Sequence, residues 1–226
     1  MIKRVLIVGL GSIGKRHLRL VREILPLAEI GVLRHKADLA IPKGANYVFS
    51  NMVAALSFAP NLAVIANPAS FHLTIAMRLA ELGVHLLIEK PLSVTSEGVD
   101  ELIKACKKAN AILAIGYNLR FSESLQKFKI MIDDQIIGKV WSVRSETGQD
   151  LPSWRPNSDY RQGVSAQYAL GGGALLELSH EIDYLRWIFG EVEWVQAVLT
   201  QQSDLEIDVE DTAHLVLSFA SNKSER

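Results

Sequence analysis

Three groups of residues in this chain of 226 have types and spacings that suit chemistry. The first is Gly9-Leu10-Gly11-Ser12-Ile13-Gly14, a G-x-G-x-x-G turn between an apolar run and a helical pattern. In that setting the turn receives a pyrophosphate. Gly9 makes the tight bend, Gly11 lets backbone approach the anion without a Cβ in the way, and Gly14 lets helix and strand pack closely. The helix start at Ser12 and Ile13 then offers unbonded N–H groups. A purely structural turn is the alternative. The second group is Glu89-Lys90-Pro91, which puts an ammonium at the carboxyl end of an apolar run. Ligands of open α/β sheets sit beyond such ends. A surface lysine beside a helix start is the competing reading. The third group lies in Ala174–Phe189, where Glu177, His180, Asp183, Tyr184 and Trp187 share one stripe at helical spacing. Acid, imidazole, acid, phenol and indole together suit a carbohydrate pocket, with polar groups for hydroxyls and aromatic faces for C–H surface. A buried polar cluster at a domain interface is the alternative, and His180-x-x-Asp183 alone supplies too few ligands for a metal site.

Elements of regular spacing must deliver these groups. The first half alternates short apolar runs with helical patterns, the rhythm of a parallel sheet wrapped by helices. Strands are expected at Val5–Val8, Ile30–Leu33, Leu62–Ala66, Val84–Ile88 and Ala111–Ile115. Helices are expected at Ile13–Leu25, stopped by Pro26, at Phe71–Leu82, stopped by Gly83, and at Ser96–Lys108. Beyond Tyr117 the rhythm changes. Leu125–Ile132 reads as a helix, and Lys139–Thr147 alternates like a half-exposed strand. Leu151–Gln167 is a polar loop, Ala174–Phe189 one strong helix, and Glu193–Thr200 and Thr212–Phe219 are strands. Period-two strands with no helix between them point to an antiparallel sheet. The expected fold class is α/β: a Rossmann doubly wound parallel sheet over 1–118, then an α+β domain with a mostly antiparallel open sheet over 119–226.

Composition narrows the function. Twenty-four Lys+Arg against 25 Asp+Glu leave a net charge of −1, so charge alone draws the chain to neither nucleic acid nor anionic lipid. No stretch reaches the roughly 18 apolar residues of a membrane span. Met1-Ile2-Lys3-Arg4 before Val5–Val8 superficially resembles a secretory signal, but the glycines and Lys15-Arg16 that follow break the apolar run. A buried strand is the expected reading there and a secretory signal the alternative; the cytoplasm is the expected location by default, and the single Cys106 suits a reducing compartment.

The acidic residue that grips an adenosine ribose is expected about 20 residues after the turn. That position holds Arg34, and Arg34-His35-Lys36 has no carboxylate. An arginine there favours a 2′-phosphate and hence NADP, while a solvated basic loop with NAD is the alternative. Trp154-Arg155-Pro156 and Asp159-Tyr160-Arg161 lie in the long polar loop. Their arginines would meet a carboxylate or diphosphate, unless the segment is only an exposed loop or dimer arm. Tyr117, Asn118 and Arg120 fall where the chain leaves the first domain and would line the substrate site.

Taken together, Gly9–Gly14 with His17, Asn67-Pro68 with His72, Glu89-Lys90-Pro91, and Asn118-Leu119-Arg120-Phe121 resemble the glucose–fructose oxidoreductase and inositol dehydrogenase family (Gfo/Idh/MocA). Gly171-Gly172-Gly173 leading into Ser179-His180-Glu181-Ile182-Asp183 is similar to that family's second-domain helix. The resemblance implies hydride transfer between NAD(H) or NADP(H) and a sugar, sugar nucleotide or cyclic polyol. It makes Lys90 the central catalytic lysine, His180 the general acid/base, and Asp183 a group that binds or orients a substrate hydroxyl. Asn67, Pro68, His72 and Glu89 would adjoin the cofactor, and Asn118, Arg120, Trp154, Arg155, Glu177 and Tyr184 the substrate. It also implies self-association through the second-domain sheet. Two departures stand out. Many members carry an aspartate four residues before the helix histidine, where this chain has Leu176, with Glu177 as the nearest carboxylate before it. Members also run on for about a hundred further residues, so a chain shortened relative to the family, with an incomplete sheet, is expected. A non-catalytic dinucleotide sensor of the same fold is the rival function, and a reductase of a cyclic imine or tetrapyrrole a third.

Overall fold

The computed structural model describes residues 2–35, 40–154, 156 and 158–220. The chain divides into two compact units, Met1–Gly116 and Tyr117–Arg226. In the first unit the elements follow as β1 (Arg4–Val8), α1 (Ser12–Ile24), β2 (Glu29–Leu33), β3 (Tyr47–Phe49), α2 (Met52–Ser57), β4 (Leu62–Ile65), α3 (His72–Ala80), β5 (His85–Ile88), α4 (Val99–Lys108) and β6 (Leu113–Ile115). Among the described residues, six strands pair in parallel in the order β3-β2-β1-β4-β5-β6.

The apolar runs explain that sheet. Val5, Leu6, Ile7 and Val8 are at most 2% exposed, as a strand covered on both faces requires. Alternate residues feed opposite layers. Leu6 and Val8 join Ile65, Leu79, Leu86 and Leu102 on one side, and Val5 and Ile7 join Leu18, Ile30 and Val32 on the other. Cys106 belongs to the first layer at 3% exposure, and burial pushes its thiol pKa up. Val8 stands level with Leu33 on one neighbour and Ile65 on the other, so the strand order reverses at the carboxyl end of β1. Ligands of doubly wound sheets bind at that reversal.

Two elements here have no counterpart in the sequence pattern. β3 is three residues long and α2 six, too short for periodicity to register. Helix α4 starts at Val99 rather than Ser96 because Gly98, in the left-handed region at φ +80°, stands before it.

The second unit holds α5 (Glu123–Asp133), α6 (Leu151–Trp154), α7 (Ala174–Glu177), α8 (Ser179–Phe189), β7 (Val192–Thr200) and β8 (Thr212–Phe219). Short 3-10 turns lie at Asn118–Phe121, Tyr160–Gln162, Val164–Ala166 and Tyr168–Leu170. β7 and β8 pair antiparallel, with Val195 opposite Leu217 and Leu199 opposite Ala213. Phe189 meets Phe128 and Phe219, which joins α8 to α5 and β8.

Two expectations are corrected here. Residues 139–147 alternate like a strand but run as largely exposed coil with no ladder partner among the described residues, and a strand needs one. Residues 174–189 are not one helix, because Leu178, at φ −100° and ψ 18°, interrupts it between α7 and α8. Among the described residues no helix is long and apolar enough to cross a membrane.

Candidate functional site

The glycine turn follows β1 directly. Gly9 has φ +86°, and a Cβ on it would lie 2.9 Å from the Ala66 carbonyl oxygen. A Cβ on Gly14 would lie 2.2 Å from the Gly9 carbonyl oxygen. Both glycines are therefore demanded by the protein's own backbone. Gly11 is different: a Cβ there would come within 4 Å of nothing. Gly11 is the N-cap of α1, and the open space beside it leaves room for a ligand against the turn. Ser12 and Ile13 open α1, and no acidic residue stands in its first turn to offset the positive end of the helix. These residues fit the pyrophosphate of a dinucleotide.

The adjoining loops follow β4, β5 and β6. His72 is 1% exposed and stands between two of them, its ring nitrogens 2.8 Å from the Asn67 carbonyl oxygen and 2.9 Å from that of Pro91. Beside it, Asn67 Oδ1 and Ser70 Oγ are buried without a hydrogen-bond partner among the described residues. Groups so placed suit a ligand donor or acceptor. Glu89 accepts a 2.6 Å bond from, or shares a proton with, His17 Nε2 on α1. Gly116 makes room for that carboxylate, since a Cβ there would sit 3.2 Å from it. Lys90 follows, half-buried, before a cis bond to Pro91. At the end of β2, the Arg34 guanidinium donates to the Ala40 carbonyl at 3.0 Å.

In the second unit α8 carries the polar stripe, and each member turns to a particular partner. Asp183 is 9% exposed and takes two bonds from Arg120, from Nε at 2.7 Å and from the terminal nitrogen at 2.6 Å. That bond raises the Arg120 pKa further, against the opposing effect of its burial. Both carboxylate oxygens of Asp183 are thus engaged by protein, and so is much of the Arg120 fork. His180 Nε2 lies 3.4 Å from Glu181 Oε1. The other oxygen of Glu181 accepts from the Tyr184 hydroxyl, which lies 2.7 Å from Ser145 Oγ. Trp187 lies under the Lys129 ammonium at 5.8 Å. Asn118 is exposed, and Glu177 closes α7 one turn before His180.

In the polar loop, Trp154 lines a cavity of about 340 Å³ with Ser158, Tyr160 and Gln162. Arg155 lies outside the described residues. Arg161 pairs with Asp159 at 2.8 Å and with Glu206 at 2.7 Å. Two supporting carboxylates escaped the sequence reading. Glu210 accepts from the Leu175 amide at 2.9 Å and holds the start of α7; a Cβ on Gly173 would lie 2.5 Å from it. Glu181 is the other, hidden because neighbours on a helix point about 100° apart. Among the described residues no cluster of three or more His, Cys, Asp or Glu is placed to hold a metal ion.

Comparison with known proteins agrees with both units. The chain is 34% identical over 164 residues to the myo-inositol 2-dehydrogenase of Thermotoga maritima, a match that covers 70% of this chain and 46% of that protein. It is 35% identical over 137 residues to the levoglucosan dehydrogenase of Pseudarthrobacter phenanthrenivorans, covering 60% and 35%. The crystal structure of the WlbA dehydrogenase from Bordetella pertussis, in complex with NADH and UDP-GlcNAcA, superposes with a TM-score of 0.81 at 25% identity, covering 97% of this chain and 69% of that one. The chain thus spans about half or less of these curated relatives. Residues 3–117 match the oxidoreductase family with an NAD-binding Rossmann fold, and residues 125–224 match the GFO/IDH/MocA C-terminal domain. On both matches, and with the parallel sheet and its glycine turn in agreement, the chain belongs to the Gfo/Idh/MocA oxidoreductase family.

Proposed function

We propose that the protein is an NAD(P)-dependent oxidoreductase acting on a CH–OH group of a sugar, sugar nucleotide or cyclic polyol. The observation that carries this reading is Gly11, the glycine of the turn that the protein's own packing does not require. When bound, a nicotinamide dinucleotide supplies the acceptor or donor of a hydride. Gly9, Gly11, Ser12, Ile13 and Gly14 hold its pyrophosphate, and Asn67, Pro68, His72 and Glu89 shape the adjoining wall. Arg34 stands where a carboxylate would grip the ribose, which favours the 2′-phosphorylated form, NADP. The Lys90 ammonium stabilises the negative charge that builds on the substrate oxygen. His180 takes the hydroxyl proton in the oxidative direction and returns it in the reductive one. Glu177, Asn118, Trp154 and Arg155 contact the substrate. Asp183, bonded to Arg120 through both oxygens, orients α8 rather than a substrate hydroxyl.

A non-catalytic sensor of the same fold is the rival. Lys90 and His180 are both present, and the named relatives are dehydrogenases, which favours catalysis. Self-association through the second-unit sheet belongs to the same proposal: Trp194, Val195, Val198 and Leu199 of β7 are 46–55% exposed. The test is a panel of sugars, polyols and sugar nucleotides with NADP⁺ and NAD⁺, read by nicotinamide absorbance beside dissociation constants for each dinucleotide. Turnover is expected, and Lys90→Met should keep dinucleotide affinity while losing about a hundredfold or more in kcat. No affinity for either dinucleotide, or an undiminished kcat in Lys90→Met, refutes the reading. Tighter binding of NAD⁺ than NADP⁺ defeats the role given to Arg34.

A further inference from the structure

An imidazole that picks up a proton needs a neighbour to favour its charged form and to fix its ring. One turn before His180, at position 176, the chain has an apolar leucine. The arrangement around α8 supplies another source. Glu181 Oε1 lies 3.4 Å from His180 Nε2, and the two side chains are only 20% and 24% exposed. Glu181 Oε2 accepts from the Tyr184 hydroxyl one turn further along the same helix. Ser145 Oγ lies 2.7 Å from that hydroxyl and 3.4 Å from the same carboxylate oxygen. One carboxylate therefore faces the imidazole with one oxygen and is anchored by a phenol and a hydroxyl through the other.

We propose that Glu181 is the positioning residue of His180, the carboxylate that fixes its ring and stabilises its imidazolium form, with Tyr184 and Ser145 holding Glu181 in place. The inference rests on the role given to His180 above. Burial, and then the bond to Glu181, push the Tyr184 pKa up, so the phenol stays protonated and keeps donating. That leaves Oε1 directed to the ring. Other charged groups on the elements around α8 have partners of their own. Arg120 binds Asp183, Lys129 binds Asp133 on α5, and Arg144 pairs with Glu146 beside Ser145. Glu177 on α7 is the other carboxylate close to His180 in the chain.

Two readouts on the full chain test this. Proton NMR titration of the histidine ring signals, with His180 assigned from its loss in His180→Asn, reports the pair without any need for turnover. The pH profile of kcat/KM, on whichever substrate the panel identifies, reports its part in the reaction. Glu181→Gln is expected to move the His180 midpoint down by about half a pH unit, and the acid limb of the profile with it. Tyr184→Phe should move both in the same direction by less, and it stands in for Glu181→Gln if that variant does not fold. An unmoved His180 midpoint in Glu181→Gln overturns the proposal. So does a larger shift in Glu177→Gln, which would place the partner one turn earlier. A protein without turnover refutes the proposed function instead, and the NMR titration still decides for or against the pairing.

Discussion

Replacing Gly14 by alanine puts a Cβ 2.2 Å from the Gly9 carbonyl oxygen and 2.9 Å from its carbon. Both are backbone atoms, so neither can rotate away, and α1 must lift off the turn that follows β1. Overpacking of this kind costs about 1–3 kcal/mol of stability. Gly11→Ala, three residues earlier, meets nothing within 4 Å. Its effect on the free protein is the small balance between a stiffer unfolded chain and a poorer helix N-cap, within about 1 kcal/mol either way. Dinucleotide binding is another matter. On the proposed role of the turn the new methyl stands where the pyrophosphate would approach, and each charge-assisted bond lost from the α1 amides removes about 1.5–3 kcal/mol. Affinity should therefore fall roughly tenfold to a hundredfold. Urea unfolding of the free protein and calorimetric titration with dinucleotide measure the two quantities separately. If Gly11→Ala destabilises as much as Gly14→Ala, or binds dinucleotide as the parent does, the assignment of the turn is wrong.

Two further outcomes follow from the second unit. Arg120→Ala strips Asp183, 9% exposed, of both its bonds; because the arginine side chain is 42% exposed and water reaches the site, the loss should be about 2 kcal/mol, seen as a lower urea midpoint with an unchanged slope. At Asp211 burial pushes the carboxyl up, but hydrogen bonds from the Ser203 and Thr212 hydroxyls and the amides of Gln202 and Ser203 outweigh it and hold the group well below the usual carboxylate range. A carboxylate depressed in the folded state stabilises above its unfolded pKa and loses that contribution as pH falls through the folded value. Asp211→Asn should therefore be less stable near neutrality, with the gap closing below about pH 4 in paired urea titrations.

The parallel sheet was legible because its strands are apolar on both faces and glycines and prolines punctuate them. Val5–Val8, Ile30–Leu33 and Leu62–Ala66 announce themselves by run length alone. β3 and α2 did not, since three and six residues carry too little pattern. Residues 139–147 show the opposite failure: alternation describes what a strand would bury, and nothing in it reports whether a neighbouring strand exists. The periodicity over 174–189 does not register the break at Leu178, a residue with no helix-breaking chemistry of its own. Around α8 the residue types singled out His180 and Asp183 as candidates, but the groups they pair with were invisible. The Arg120–Asp183 fork spans 63 positions and the Glu210 clasp 35, distances that local spacing cannot encode. Glu181 was passed over for the reverse reason, being too close in sequence for a helical wheel to pair it with His180.

The burial of Cys106 has a practical use. It is the single thiol in the chain, it is 3% exposed, and its raised pKa keeps it largely in the unreactive protonated form. Maleimide reagents will pass it by in the native protein. A cysteine introduced at Leu27 (97% exposed) or Tyr168 (78% exposed) then accepts a fluorophore at a known place, with no background thiol to remove first. Labelled at both positions, the molecule becomes its own spectroscopic ruler between the two halves of the polypeptide, readable while coenzyme is titrated in.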